Sequence, residues 1–217
     1  MAGVRAFDTQ QVLDDAVKAF WEHGYRALSL SGIEAATGLQ RSSLYNAFGS
    51  KRELFIAVLR RYWDWLKQER APAFGAANPV HGMELLFEEL LGRMANPELP
   101  RGCLLANTCI EVPSIEESIG RVAAAQLAEL EAAIHGLLTR ARDAGQLAAA
   151  TDLRATARFY VAVLRGMAVM HRVSGDTAAA RDVAKVALSV IGGALGGAQQ
   201  PAAQGSKPVS AKRTGKI

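Results

Sequence analysis

Apolar positions recur every three or four residues along most of the chain, and no sustained alternating run of β-branched residues interrupts them. The pattern predicts an all-α protein. A first helix starts at about Asp8, a cap together with Thr9, and runs to His23, with Val12, Leu13, Ala16, Val17 and Phe20 on one stripe and Gly24 ending it. A short second helix follows the cap Ser29 and covers Leu30 to Thr37, with Leu30, Ile33 and Ala36 inward and Gly38 as its stop. A third spans about Gln40 to Ala47. The fourth begins near Ser50, where Glu53 completes a capping box, and reaches about Arg70 before Pro72, Gly75, Asn78 and Pro79 break the pattern. Further helices are expected at about 79–94, 102–111, 114–144, 153–173 and 177–195, nine in all.

Composition sharpens this picture. Half of the 217 residues are apolar and a fifth are charged, enough for a sizeable core. The net charge of +4 is local: residues 197–217 hold Lys207, Lys212, Arg213 and Lys216 with no acid, so the rest of the chain is balanced. Within that remainder, Arg41, Lys51, Arg52, Arg60 and Arg61 face Glu53 alone, a short basic patch on a neutral body. The polar, Pro/Gly-rich basic tail is expected to be disordered. No apolar run approaches the roughly 18 residues of a membrane span, and two cysteines are too few for a disulfide framework, so a cytoplasmic location with reduced thiols is expected and no membrane partner. No nucleophile elbow, phosphate-binding Gly-rich loop or carboxylate pair points to an enzyme, and no catalytic residue is assigned. His23, His81, His135 and His171 are scattered without ligand spacing, so neither a metal nor a cofactor is expected.

The second and third helices, joined through TGLQ, have the spacing of a helix-turn-helix, in which the second helix enters the DNA major groove. Its candidate reader is RSSLYN. Arg41 can donate two hydrogen bonds to guanine, Asn46 can pair with adenine, and Ser42 or Ser43 can serve base or phosphate. Leu44 and Phe48, four apart, anchor the helix to the core. Tyr45, Lys51 and Ser29 stand where a phosphate backbone could pass, and they would position the protein rather than choose its sequence.

The run AFWEHGYRALSLSGIEAATGLQRSSLYNAFGSKRELFIAVL resembles the N-terminal domain of the TetR family of transcriptional regulators. Phe20, Gly24, Tyr25, Ile33, Ala36, Gly38, Leu39, Leu44, Tyr45, Phe48, Lys51 and Leu54 fall in register with the family pattern, over about residues 7–59. Gly32, Gln40 and Ala47 depart from it; the first two would loosen helix ends and the third would remove one contact. The resemblance implies a homodimeric repressor on a palindromic double-stranded operator, released when a small-molecule effector fills a C-terminal pocket. The chain then divides into a DNA-binding domain at 1–50, a connecting helix at 51–70, an effector-binding and dimerisation domain at 71–196, and the tail at 197–217. A helical carrier or interaction protein without DNA binding is the alternative.

In the C-terminal part, residues 155–170 are apolar nearly all round, as in a helix buried on two sides, and the last helix carries a wide stripe of small and branched residues. A dimer interface through these helices is expected. Cys103 and Cys109, six apart, place their Cα atoms roughly 9 Å apart on a regular helix, too far for an internal disulfide. Cys103 follows Arg101 and Gly102 at a helix start, where dipole and cation favour thiolate, whereas Cys109 reads as buried. The R-G-C placement resembles a TetR subgroup that answers electrophiles, oxidants or copper through such a cysteine; the plain alternative is a small core residue. An effector pocket is expected from Phe87, Met94, Leu104, Ile110, Phe159, Tyr160, Met167 and Met170, with Asn107, Thr108 or Arg165 as polar fixers.

Overall fold

Asp8 accepts from the amides of Gln10 and Gln11 and so starts α1, Thr9–His23, whose Val12, Ala16, Ala19, Phe20 and Trp21 turn inward. Ser29 caps α2, Leu30–Thr37, through Gly32 N–H. A left-handed turn at Gly38 (φ 68°), a conformation that disfavours any side chain, then feeds α3, Arg41–Phe48. Ser50 caps α4, Lys51–Gly75, by accepting from Glu53 N–H, while its hydroxyl donates to the Glu53 carboxylate. The remaining helices are α5, Pro79–Ala95; α6, Leu104–Glu111; α7, Glu117–Asp143; α8, Leu153–Ser174; and α9, Thr177–Gly197. The computed structural model describes residues 7–112 and 116–197, and among these it is all-α with nine helices. The basic tail beyond 197 and the expected start of the seventh helix at 114 lie outside the described residues.

The core is continuous from end to end. Phe20, Tyr25 and Phe55 join α1 and α4, with ring centroids 4.8 Å apart for Phe20–Phe55 and 4.9 Å for Tyr25–Phe55. Trp21 meets Tyr62 at 5.1 Å. Beyond them, α4 packs on α5 and α7, α7 on α8, and α5 and α8 on α9. Each fully buried Leu, Phe or Met in this core contributes about 1.5–3 kcal/mol relative to its exposed state. Two polar ties bind α4 to α7: Trp63 Nε1 donates to Glu129 at 2.6 Å and Gln126 donates to Leu59 O at 3.0 Å.

Two boundaries and one inward position differ from the sequence expectation. The fourth helix runs through Pro72 to Gly75. Pro72 is exposed, so the carbonyl it leaves unbonded faces water, while Ala73 beside it is buried and Arg140 donates to the last carbonyls, Phe74 O and Ala76 O. The sixth helix begins at Leu104 rather than 102, because Gly102 has φ 83° and Cys103 is extended. Ala36 faces solvent, and Thr37, whose hydroxyl bonds Ile33 O, continues the inner face of α2 instead.

Candidate nucleic-acid interface and effector site

The reader helix has no side-chain cap of its own. Gln40 makes none, and the first free amide, Arg41 N–H, is taken by Glu34 of α2 at 2.6 Å. The carboxylate that caps α3 therefore also fixes the angle between the two helices of the motif. Gly32 fits because Leu28 fills the space that a side chain would need. Leu44 is buried and Phe48 half-buried, which turns the opposite face outward: Arg41, Ser42, Tyr45 and Asn46 are exposed and Ser43 is half-buried. Arg41 stacks over the Tyr45 ring at 5.4 Å.

Arg41, Tyr45, Ser50 and Lys51 line one small slot with Leu30 of α2. Lys51 is half-buried, its ammonium 4.9 Å from the Tyr25 ring centre, and burial lowers its pKa from the ordinary value despite the pull of Glu111. Ser29 is exposed, its hydroxyl occupied by Gly32 N–H and Ser31.

Forty or more residues further on, the thiol of Cys103 lies in the interior, wholly buried, and the partly accessible cysteine is Cys109. This reverses the sequence expectation. The cation beside Cys103 is also another one: Arg165 Nη1 lies 3.2 Å from its sulfur and Tyr62 OH 3.3 Å, and Arg93 Nη1 in turn donates to Tyr62 OH at 3.2 Å. Burial opposes ionisation, yet Arg165, Arg93, the Tyr62 hydroxyl and the Ala106 amide outweigh it and bring the thiol down to about 7. Cys109 goes the other way, raised by burial. Gly102, just before the thiol, needs its positive φ and also its lack of a side chain, since a Cβ would sit 2.9 Å from Arg172 Cβ and 3.1 Å from Ala168 O.

The expected pocket residues separate into two groups. Phe87, Tyr160 and Met167 are buried, Phe87 and Tyr160 edge to face at 6.1 Å, with Met94 and Leu104 also inside and Asn107 half-buried one turn after Cys103. Phe159, Met170 and Ile110 are not lining residues: they point out of the chain, Phe159 41% exposed, because neighbours on a helix are turned by about 100° and Tyr160 takes the inward place. The Tyr160 hydroxyl donates to Ala187 O and the Thr108 hydroxyl to Leu104 O, so both are spent inside the fold. A separate cleft between α4 and α7, lined by Trp63, Lys67, Arg70, Phe74 and Leu130, draws on none of the expected residues.

The most consequential residue missed by the sequence reading is Glu111. At the last position of α6, it accepts from Tyr25 N–H at 3.1 Å and Arg26 N–H at 2.6 Å. It thus holds the turn between α1 and α2, more than eighty residues away in the chain. Arg70, Glu89 and Arg93 were missed as well. Their signal was present: Arg70 continues the inward stripe of Tyr62, Leu66 and Ala73, and Glu89 and Arg93 are an i,i+4 pair of opposite charge.

These helices match two family models. Residues 12–58 match "Bacterial regulatory proteins, tetR family", and residues 79–196 match "Tetracyclin repressor-like, C-terminal domain". The chain belongs to the TetR family. It is 30% identical over 191 residues to the HTH-type transcriptional regulator YezE of Bacillus subtilis, covering 86% of this chain and 97% of that one. It is 29% identical to the HTH-type transcriptional repressor ComR of Escherichia coli, over 77% of this chain and 81% of the relative. Among solved structures, a cysteine mutant of the TetR family regulator CifR, in complex with a 26-bp double-strand operator, superposes with a TM-score of 0.79 at 32% identity, over 86% of this chain and 98% of that one. The reduced form of NemR from E. coli shares the fold, with a TM-score of 0.73 at 18% identity over 86% and 97% of the two chains. A TetR-family chain is a transcriptional regulator, and the relatives named are regulators rather than enzymes. Among the described residues no helix is long and apolar enough to cross a membrane.

Proposed function

We propose that two copies of this chain bind a two-fold symmetric double-stranded operator as a repressor, each through α3, and that modification of Cys103 releases them. Arg41 and Asn46 read base edges with help from Ser42 and Ser43, while Tyr45, Lys51 and Ser29 hold the phosphate backbone. The operator-bound CifR structure and the repressor ComR support the DNA-binding part.

The observation that carries the release mechanism is that α6 touches both sites, with Cys103 at its N-cap and Glu111 at its last residue on the α1–α2 turn. A thiolate at Cys103 adding to an α,β-unsaturated carbonyl forms a C–S bond, and the α-carbon takes a proton from solvent. The adduct removes the negative charge facing Arg165 and adds bulk at a site with no room for it. Because α6 is a short helix of eight residues, about two turns, displacing its start moves Glu111 and with it the reader. Phe87, Tyr160 and Met167, buried in the same core, and Asn107, one turn after Cys103, would contact an effector that enters the C-terminal domain.

Selection of bound sequences from random duplex DNA by the reduced protein, repeated after treatment with N-ethylmaleimide, tests the reading. A two-fold symmetric site is expected, lost on treatment in the wild type and retained in Cys103→Ser. Ala at Tyr45 or Lys51 is expected to weaken all sequences alike, and at Arg41 or Asn46 to relax one base position. No enriched site in the reduced state would overturn the DNA-reading role and favour a carrier.

A further inference from the structure

Three guanidinium groups meet inside the chain with too few acceptors. Arg70 is 2% exposed and Arg93 8%, and Arg165 is half-buried. The carboxylate among them is Glu89, which accepts from Arg70 Nε at 3.2 Å and lies 2.9 Å from Arg93 Nε in an ion pair whose geometry falls short of a hydrogen bond. Arg70 Nη1, Arg93 Nη2 and Arg165 Nε are buried and have no hydrogen-bond partner among the described residues. A guanidinium cannot shed its proton at any physiological pH, so it cannot escape its burial as a lysine would. Even with Cys103 as thiolate, three positive charges face two negative ones. One unit of negative charge is missing, and unpaired buried donors of this kind are what an anionic ligand satisfies.

Two surface depressions lead toward the cluster, and their charges differ. The one beside Arg93 carries Glu69, Glu88 and Glu89 and repels anions. The other is the cleft between α4 and α7, about 340 Å³, walled by Trp63, Phe74 and Leu130 and running from exposed Lys67 to buried Arg70. Its carboxylate, Glu129, is held by Trp63 Nε1. Burial and the neighbouring guanidiniums of Arg165 and Arg93 lower the pKa of Arg70 in spite of Glu89, as for a cation short of counter-charge.

We propose that the α4–α7 cleft binds a small organic monocarboxylate, its aromatic or alkyl body against Trp63, Phe74 and Leu130 and its carboxylate on Arg70. This deepens the effector reading above and rests on it only for the consequence, not for the binding. The carboxylate supplies the missing charge, and the aromatic wall supplies the apolar contact that a volume of this size gives a ring or a short chain. Because Arg70, Arg93 and Arg165 share one field with Cys103, an anion on Arg70 also weakens the pull that keeps the thiol ionised. The ligand and the thiol reagent then act on the same network, and the carboxylate slows the reaction of Cys103.

Calorimetry on the full-length reduced protein, with benzoate and octanoate as probes and benzamide and octanamide as neutral controls, tests this. The acids are expected to bind and the amides not to, with Arg70→Met weakening the acids tenfold or more. Glu89→Gln, which deepens the charge imbalance, is expected to tighten them several-fold, a gain that mere damage to the fold would not give. Saturating benzoate is expected to slow iodoacetamide labelling of Cys103 several-fold in the wild type and not in Arg70→Met. Equal binding of acids and amides, binding unaltered by Arg70→Met, or no binding of either acid at about 10 mM would each overturn the proposal. Release from DNA by N-ethylmaleimide is read separately: if it persists while the acids fail, only the carboxylate site falls, and if the reduced protein holds no operator while the acids bind, only the regulatory reading falls.

Discussion

Cys103 has the opposite of the environment that usually makes a thiol reactive, since it is closed to solvent, yet its charge partners bring it to about 7. The two effects separate experimentally. Burial slows labelling at every pH, while the lowered pKa fixes where the rate rises. With its pKa brought down to about 7, a far larger share of Cys103 is thiolate at neutral pH than for a thiol at the ordinary 9.0. On a Cys109→Ser background, the iodoacetamide rate is expected to rise with a midpoint near 7; a midpoint near 9 would remove the guanidiniums from the account. The same shift sets a stability trend. A thiol depressed on folding contributes stability that is full above its unfolded pKa near 9 and lost as pH falls through about 7, so denaturation midpoints of the wild type are expected to gain on Cys103→Ser between these limits. The sequence singled out this residue from R-G-C spacing alone. It named Arg101 as the cation because only a chain neighbour is visible in a sequence, whereas Arg93 and Arg165 come from two other helices. The same limit hid Glu34: a missing cap at Gln40 is legible, but the carboxylate that replaces it lies seven residues before Arg41, across the turn.

At the scale of elements, α6 is eight residues long, with a thiol at one end and the Glu111 grip on the α1–α2 turn at the other. Arg172 reinforces this junction by donating to Arg101 O and Glu22 O, and Gly102 N–H donates to His171 Nδ1 at 3.2 Å. A rigid short helix between two points transmits displacement only while both ends are held. Glu111→Gln keeps the shape but replaces two charge-assisted acceptor contacts by neutral ones, at a cost of about 1–2 kcal/mol. The expected outcome is a variant that still binds the operator when reduced, but whose loss of affinity on N-ethylmaleimide treatment shrinks several-fold. Mobility-shift titrations before and after treatment measure both quantities, and an unchanged ratio would take Glu111 out of the coupling. Helical periodicity placed α6 in nearly the right register, and its misread start at 102 has a local cause. Gly102 and Cys103 look like a first turn by composition, but the close approach of Arg172 and Ala168 demands an extended entry that no periodicity encodes. Pro72 misled in the opposite sense: proline is a helix breaker on average, yet on the outer face of a final turn it costs one bond that water replaces.

For the whole molecule, the exposed apolar residues of the last two helices are the ones that periodicity could see but not assign. Phe159, Ala162, Gly166, Met170 and Val173 recur along α8 at three- and four-residue steps, and Val186 and Val190 are four apart on α9, while Ala157, Tyr160, Leu164, Met167 and Ala168 form the opposite, buried face of α8. A helix with two apolar faces has two neighbours, and within one chain α8 covers only one of them. Phe159 and Met170 look like pocket residues in the sequence because a single sequence shows the second stripe without showing whether a ligand or another copy fills it. A second copy accounts for both helices at once, since α8 and α9 lie side by side and Tyr160 OH ties them through Ala187 O. A symmetric interface between helix pairs uses the same surface of both copies, and the stripes of α8 and α9 are its candidates. Met170→Glu together with Val186→Glu places charges in the centre of that interface but on the surface of the isolated chain. Helicity and the unfolding midpoint of the chain itself are therefore expected to hold, while sedimentation shifts from dimer to monomer. Operator affinity is then expected to fall by about a hundredfold or more, because two readers joined at a fixed spacing of roughly 34 Å gain from each other's binding and separate ones do not. A variant that sediments as a dimer would place the interface elsewhere, and a monomer that binds the full operator undiminished would mean that one reader suffices.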